Sequence, residues 1–290
     1  MYMPLVDKVQ AGGSFKVFRI NYNAASPFGN DTPYSPAPGI DPFFLSSDYR
    51  SYQTGAYLQV TKNLTPRFDV TLGGRVDSYS ILGQTRFSPR AGLNYRVTDR
   101  LSWNASYGTY YQQPAFLFVS AFPENAALVP WRAAHYVTGL AWTPSPGWRV
   151  TVEGYRKNYK DYPVARDLPS VSLANIGDSF DIREILFPLK SAGEGYSEGI
   201  EFFAEKRLSS KLYGQTNVSF SRPRHAGLDG VLRPGSFDYP FVFNLVGGYR
   251  FSPKWEVSTR LALLSGRPYT PYDAATSADQ RRGVYDLTRV

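Results

Sequence analysis

Hydrophobic and polar side chains alternate along most of this chain with a period of two, the pattern of a β-strand with one face in an apolar medium and one in water. Phe68, Val70, Leu72, Gly74 and Val76 share one face, whereas Arg67, Asp69, Thr71, Gly73, Arg75 and Asp77 share the other. The same split sets Ala91, Leu93, Tyr95 and Val97 against Arg90, Gly92, Asn94 and Arg96. It recurs at Leu101–Thr109, Leu212–Phe220, Phe241–Arg250 and Trp255–Leu263. Eleven strands are predicted, over 12–23, 50–61, 67–80, 89–97, 100–111, 134–143, 148–158, 196–206, 211–221, 240–251 and 255–265. Each is about 9–12 residues, the length that crosses a bilayer on a tilt.

The connections alternate as well. Short turns rich in Asn, Asp, Pro and Gly are predicted at 62–66, 97–100, 143–147, 206–211 and 252–254. Longer polar segments are predicted at 24–49, 80–88, 112–133, 158–195 and 222–238, with a last one from Ser265. Tight turns at one end and long segments at the other are the layout of a membrane barrel, with turns in the periplasm and loops outside. Trp103, Tyr107, Tyr110, Trp142, Trp148, Tyr249 and Trp255 fall near strand ends, where interfacial girdles of Trp and Tyr are expected.

Composition sharpens this reading. Aromatic residues make up 16% of the 290, and 25 Gly and 22 Pro supply many turns. Mean hydropathy is −0.34, and no apolar run approaches the roughly 18 residues of a spanning helix. The net charge of +8 is scattered singly, so the cations read as a solvated or lumen-lining set and not as a nucleic-acid surface. The chain has no Cys, which removes disulfides, thiol catalysis and Cys-ligated metal. With two His, no His-rich metal site is expected, and no cofactor. The sequence after Met1 is not a basic segment followed by an apolar one, so no signal peptide is read. An odd strand count and two unpaired edges in lipid point to a chain truncated at both ends.

Six segments then resemble one family. They are Gly55-Ala-Tyr-Leu-Gln-Val-Thr-Lys-Asn-Leu-Thr, Leu72-Gly-Gly-Arg-Val-Asp, Ser88-Pro-Arg-Ala-Gly-Leu-Asn-Tyr, Tyr107-Gly-Thr-Tyr-Tyr-Gln-Gln-Pro, Ser197-Glu-Gly-Ile-Glu and Ser265-Gly-Arg-Pro-Tyr-Thr-Pro. In this order they resemble strands of the TonB-dependent outer-membrane receptors. The resemblance implies an all-β, transmembrane, antiparallel up-and-down barrel, of which residues 1–290 supply about 11 of roughly 22 strands. It also implies a plug domain, absent from these residues, that gates the barrel and meets the TonB complex. Implied partners are outer-membrane lipid, TonB through that plug, and a small scarce solute of unknown identity. The implied location is the bacterial outer membrane, and the implied role is transport and not enzymatic catalysis.

Residue by residue, solute contact is expected from Tyr110, Tyr111, Phe116, Trp131, Arg132, Tyr159 and Tyr162 in the external loops. The lumen face is expected to carry Arg75, Asp77, Arg90, Asn94, Arg96, Glu153, Glu201, Asn217, Asn244 and Arg250. Glu153, Glu201 and Glu205 are expected to pair with Arg75, Arg90 or Arg96 across the wall, or to touch solute. Gly195-Tyr-Ser-Glu-Gly199 fits the G-x-S-x-G nucleophile elbow, but Ile200–Glu205 alternates as a strand where that motif needs a helix. His225, the one later His, falls in a predicted loop, and both His135 and His225 are expected at a loop or strand mouth and not as ligands. Two alternatives stay open: a smaller self-contained porin or fatty-acid-channel barrel, and a soluble β-rich carbohydrate-binding or hydrolytic domain.

Overall fold

The computed structural model describes residues 6–26, 43–175, 188–208 and 211–289. The strands are β1 (Lys8–Ser26), β2 (Phe43–Thr65), β3 (Phe68–Tyr79), β4 (Gln84–Arg96), β5 (Leu101–Gln112) and β6 (Trp131–Trp142). They continue as β7 (Trp148–Ala165), β8 (Leu189–Lys206), β9 (Leu212–Ala226), β10 (Arg233–Pro234), β11 (Phe241–Ser252) and β12 (Trp255–Leu264). Two short helices, α1 (Phe116–Ala121) and α2 (Ala274–Gln280), lie outside the sheet. Each long strand pairs antiparallel with the next in sequence, and β10 hangs on β9 alone. The result is one up-and-down sheet, open between β1 and β12.

The eleven predicted strands match the eleven long ones. Of these, β1, β2, β4, β7, β8 and β9 run further than expected at the end away from the short turns, and β1 and β2 also run further at the turn end. Backbone pairing continues there past the stretch where side chains alternate, since no apolar medium imposes a face on the protruding part. The expected long segment at 80–88 shrinks to a turn, Ser80–Gly83, closed by Gly83 at φ 60° in the left-handed region. The expected 158–195 and 24–49 segments lie partly outside the described residues.

At the turn end, the chain reverses on local bonds. Thr98 Oγ1 accepts from the amides of Arg100 and Leu101, and Gly147 takes φ 79° before β7. Partners in register share a face, so the two faces can be followed across the sheet. Phe68 faces Tyr95, which faces Trp103 and then Leu140 and Val152. This apolar face stays exposed: Phe15, Phe87, Leu72, Ile200, Phe220 and Val257 all lie open. So broad an apolar surface is stable only against lipid. The turn-end aromatics Trp103, Trp142, Trp148 and Tyr249 belong to this face and form its girdle.

Among the described residues, the packed hydrophobic core lies at the opposite, mouth end. There Leu128, Ala165, Val171 and Leu189 form a small core, joined by Phe118, Leu168 and Leu173.

Candidate functional site

The ten polar residues expected on the lumen share one face of the sheet, the polar face opposite the apolar one. The rows run Asp69–Asn94–Asn104, Glu153–Glu201–Ser219, Asn217–Asn244 and Arg250–Glu256. Arg90 faces Gly73 and Gly108, and Arg96 faces Ser102. Arg75 does not pair with a glutamate across the wall. Its guanidinium instead donates to both carboxylate oxygens of Asp77, at 2.7 and 2.6 Å, and to Ser14 Oγ at 3.2 Å. A two-residue spacing puts both groups on the same strand face, nearer than any glutamate. Gly55 makes room for them, since a Cβ there would lie 2.3 Å from Arg75 and 2.5 Å from Asp77.

Toward the mouth this face becomes aromatic and cationic. Trp131 stacks on Tyr162 with centroids 5.3 Å apart and planes 9° apart. Tyr159 meets Tyr162 edge-on at 5.6 Å and stacks with His225 at 5.8 Å. Tyr162 also meets His225, at 5.9 Å. Asp161, at φ 63°, sits in a register shift between Tyr159 and Tyr162. This bulge brings Tyr162, otherwise one step out of phase with Tyr159, to the polar side. Gly193 and Gly195 of β8 leave the space beneath: a Cβ would come within 3.0 Å of Tyr162 at the first and 2.8 Å of His225 Nδ1 at the second.

A second group lies on β4 and β5. The Arg90 guanidinium stands 4.9 Å over the Tyr110 ring, which contacts His135 at 4.6 Å. Arg86 stands 5.9 Å from the Tyr111 ring. Among the described residues, Nε of Arg86, of Arg90 and of Arg132 is buried without a hydrogen-bond partner, as is His225 Nδ1. Buried guanidinium donors left unsatisfied are costly in a finished structure, so the three arginines mark where an acceptor belongs.

Residues 113–130 fold back over the polar face. Phe116 of α1 packs on Phe18 of β1 at 4.9 Å, and Tyr49 of β2 hydrogen-bonds Ser120. The 3-10 turn Pro123–Ala127 then reaches β8, where Asn125 Oδ1 accepts from the Leu189 amide at 2.6 Å. The Val129 amide donates to Ser191 Oγ at 3.0 Å. One segment therefore ties β1 and β2 to β8.

Of the seven residues expected in external loops, six lie in strands: Tyr110 and Tyr111 in β5, Trp131 and Arg132 in β6, Tyr159 and Tyr162 in β7. Only Phe116 lies outside the sheet, in α1. Tyr110, Trp131, Tyr159 and Tyr162 come together with the polar face, whereas Tyr111 and Arg132, paired with each other, take the other phase. His225, expected in a loop or at a strand mouth, is the penultimate residue of β9, at its mouth end, and faces Gly195. His135 lies within β6. Arg86, Phe18, Tyr49 and Asn125, and the stacking of His225 with its aromatic partners, escaped sequence reasoning because none has a local signal; their neighbours come from other strands. The elbow motif is flat: Ser197 sits inside β8, with strand continuing to Lys206.

Tyr159, Tyr162 and His225 lie beyond the roughly ten residues nearest each turn that span a bilayer. Burial pushes the Tyr159 hydroxyl up to about 12, raises Tyr162, and pushes His225 down from 6.5 to about 4. Between those last two values the unfolded chain carries a proton that the packed ring refuses. The cluster is therefore fully stabilised above pH 6.5 and loses stability as pH falls toward 4. Trp131 emission is expected to stay constant above that window and to change within it, and the change to vanish in His225→Gln. The same titration in the variant would refute a role for His225.

An antiparallel meander with one lipid-compatible face, an aromatic girdle and a polar face ending in an aromatic and cationic mouth defines the wall of a transmembrane β-barrel. A model of the family described as TonB dependent receptor-like, beta-barrel, matches residues 6–288, and the chain belongs to this family. Among solved structures, it is similar to the siderophore receptor PirA from Acinetobacter baumannii, with TM-score 0.62 and 14% identity over 88% of this chain and 39% of that one. A variant of the ferric enterobactin receptor PfeA from Pseudomonas aeruginosa gives TM-score 0.56 and 14% identity over 88% and 45%. The FrpB iron transporter from Neisseria meningitidis, as apoprotein, gives 0.58 and 17% over 89% and 41%. At these identities the likeness is one of fold. The chain spans about two-fifths of the length of these receptors. A comparison with curated proteins gave no match.

Proposed function

We propose that this chain forms part of the barrel of an outer-membrane receptor that captures a scarce, anionic metal chelate of the siderophore type. On this reading the polar face lines the lumen, the short turns face the periplasm and the mouth end faces outward. Gating and coupling to TonB belong to a plug domain of the intact receptor. The observation that carries the ligand class is the meeting of aromatic rings with buried arginine donors: Arg90 over Tyr110, and Nε of Arg86 and Arg90 without acceptors. Rings stack on planar chelating groups, and guanidinium groups answer their negative charge. The named functions of PirA, PfeA and FrpB, which concern siderophores and iron, support the same class.

The test is binding by the intact receptor in detergent, with ferric catecholate, ferric hydroxamate, haem and cobalamin compared by intrinsic fluorescence. A ferric chelate is expected to bind, and Arg90→Ala to weaken it by about 2 kcal/mol, roughly thirtyfold in Kd. Binding of cobalamin or haem, with no ferric chelate bound, would overturn the ligand class.

A further inference from the structure

We infer that the turn end of the polar face carries a second anion site, an exit site that holds the chelate as it leaves the lumen for the periplasm. This rests on the ligand class and the membrane placement proposed above. Scattered along the chain, the positive charge gathers at one end of the sheet. Residues 62–67, 96–100, 143–149, 205–211 and 250–256 make and flank the short turns. They hold ten Lys and Arg against Asp99, Glu205 and Glu256, a net +7 out of the chain's +8. Register places several of these arginines on the polar face. Ser102 of β5 faces Arg96 of β4 and Ala141 of β6, and Ala141 faces Thr151 of β7. One row nearer the turns come Arg100, Thr143 and Arg149, the Thr143 amide donating to the Arg100 carbonyl at 2.8 Å. Glu205 of β8 lies opposite Arg149, and Arg207, two residues further on, continues that phase past the end of β8.

Arg100, Arg149 and Arg207 line a cavity of about 450 Å³ together with Thr143 and Ser145, and among the described residues no carboxylate lines it. Two of the three are tied to the β6–β7 turn. Arg100 Nη1 donates to the Pro144 carbonyl at 3.1 Å, and the Arg207 amide to that of Gly147 at 2.8 Å. Glu205 offsets one charge, standing 3.5 Å from Arg207 Nε. Arg100 and Arg149 rise from strands two spacings apart, roughly 10 Å, with Thr143 between them. A compact anion carrying several charges meets more than one guanidinium there, whereas a single carboxylate meets one. The wall above is neutral or acidic. On β5 and β6 the polar face carries Ser106, Asn104, Ser102, Gly139 and Ala141, and Glu153 and Glu201 face each other on β7 and β8. An anion that leaves Arg90 along these strands meets its next cations at the exit. Arginines this open to water hold it weakly, which suits release.

The experiment is equilibrium dialysis of the intact receptor in detergent against radioactive ferric tricatecholate, a trianion, with neutral ferric trihydroxamate as the comparison. Two classes of site are expected for the trianion: a tight one that Arg90→Ala weakens, and a weaker one that Arg90→Ala leaves alone. R100Q, R149Q and R207Q are each expected to weaken the second class about fivefold and to leave the first unchanged. R100K, R149K and R207K together, which keep the charges, are expected to retain most of it, and added salt to abolish it. The neutral chelate is expected to show no second class. Heat-modifiable migration checks that each variant is folded. A folded triple glutamine variant that keeps both classes overturns the exit site alone. So does wild-type receptor without the weak class, the result expected if carboxylates of the plug domain hold these arginines instead. Wild-type receptor with the weak class but no tight site for either chelate overturns the ligand class proposed above and not the anion site.

Discussion

Asn125→Ala is expected to release residues 113–130 from the polar face while leaving the strands paired. Asn125 has no exposed surface and sits in the 3-10 turn between α1 and β6. Its Nδ2 donates to the Phe118 carbonyl at 2.7 Å, and its Oδ1 accepts from the Leu189 amide at 2.6 Å. Alanine leaves both main-chain groups buried and unpaired, at about 1–3 kcal/mol each. A backbone segment of eighteen residues held by a few such bonds and the contacts of Phe116, Phe118 and Leu128 cannot absorb that loss. Hydrogen exchange at the Leu189 amide is expected to accelerate by roughly a hundredfold, and limited proteolysis to cut first within 113–130. Asn125→Asp, which keeps the acceptor and loses the donor, is expected to fall between. If the exchange rate of Leu189 is unchanged in the alanine variant, the segment is held by something other than Asn125. Since this segment ties β1 and β2 to β8 across the face that carries the aromatic cluster, its release is also expected to alter solute affinity.

Gly199→Ala is expected to destabilise the barrel by about 2–3 kcal/mol, a large effect for one methyl group. A Cβ at this position would lie 2.5 Å from the Phe220 carbonyl oxygen and 2.7 Å from the Tyr155 hydroxyl. The first neighbour is backbone, so the clash is relieved only by parting β8 from β9 where they are hydrogen-bonded. Gly154, on the apolar face of the neighbouring strand, supplies the control: nothing lies within 4 Å of a Cβ there. Gly154→Ala is expected to be neutral or slightly stabilising, because it restricts the unfolded chain at no steric cost. Urea midpoints of the intact receptor in micelles measure both. Equal midpoints for the two variants would mean that β8 and β9 can separate freely at Gly199.

The contrast between these glycines shows where the sequence stops being informative. Both interrupt an alternating strand, and Gly199 also closes a G-x-S-x-G match, yet neither the strand pattern nor the motif says what the opposite strand presents. The same holds for the candidate site. Trp131, Tyr159 and Tyr162 were visible as aromatics beyond the membrane-length strands, but His225, sixty-three residues after Tyr162 in the chain, joins them only because β9 pairs with β8 and β8 with β7. Tyr162 itself reaches the polar side through the bulge at Asp161, and a single-residue register shift of that kind leaves no mark on the hydrophobic pattern.

The sequence by itself determined the eleven strands, the short turns and the face of the side chains in the runs that alternate, because lipid on one side and water on the other impose a period of two that each strand records alone. The family followed from six short segments in order. Only the tertiary structure decided which residues distant in the chain meet: Arg75 of β3 and Ser14 of β1, the aromatic cluster around His225, and the Asn125 anchor on β8. Those contacts depend on register, and register is a relation between two strands that neither strand's own pattern contains.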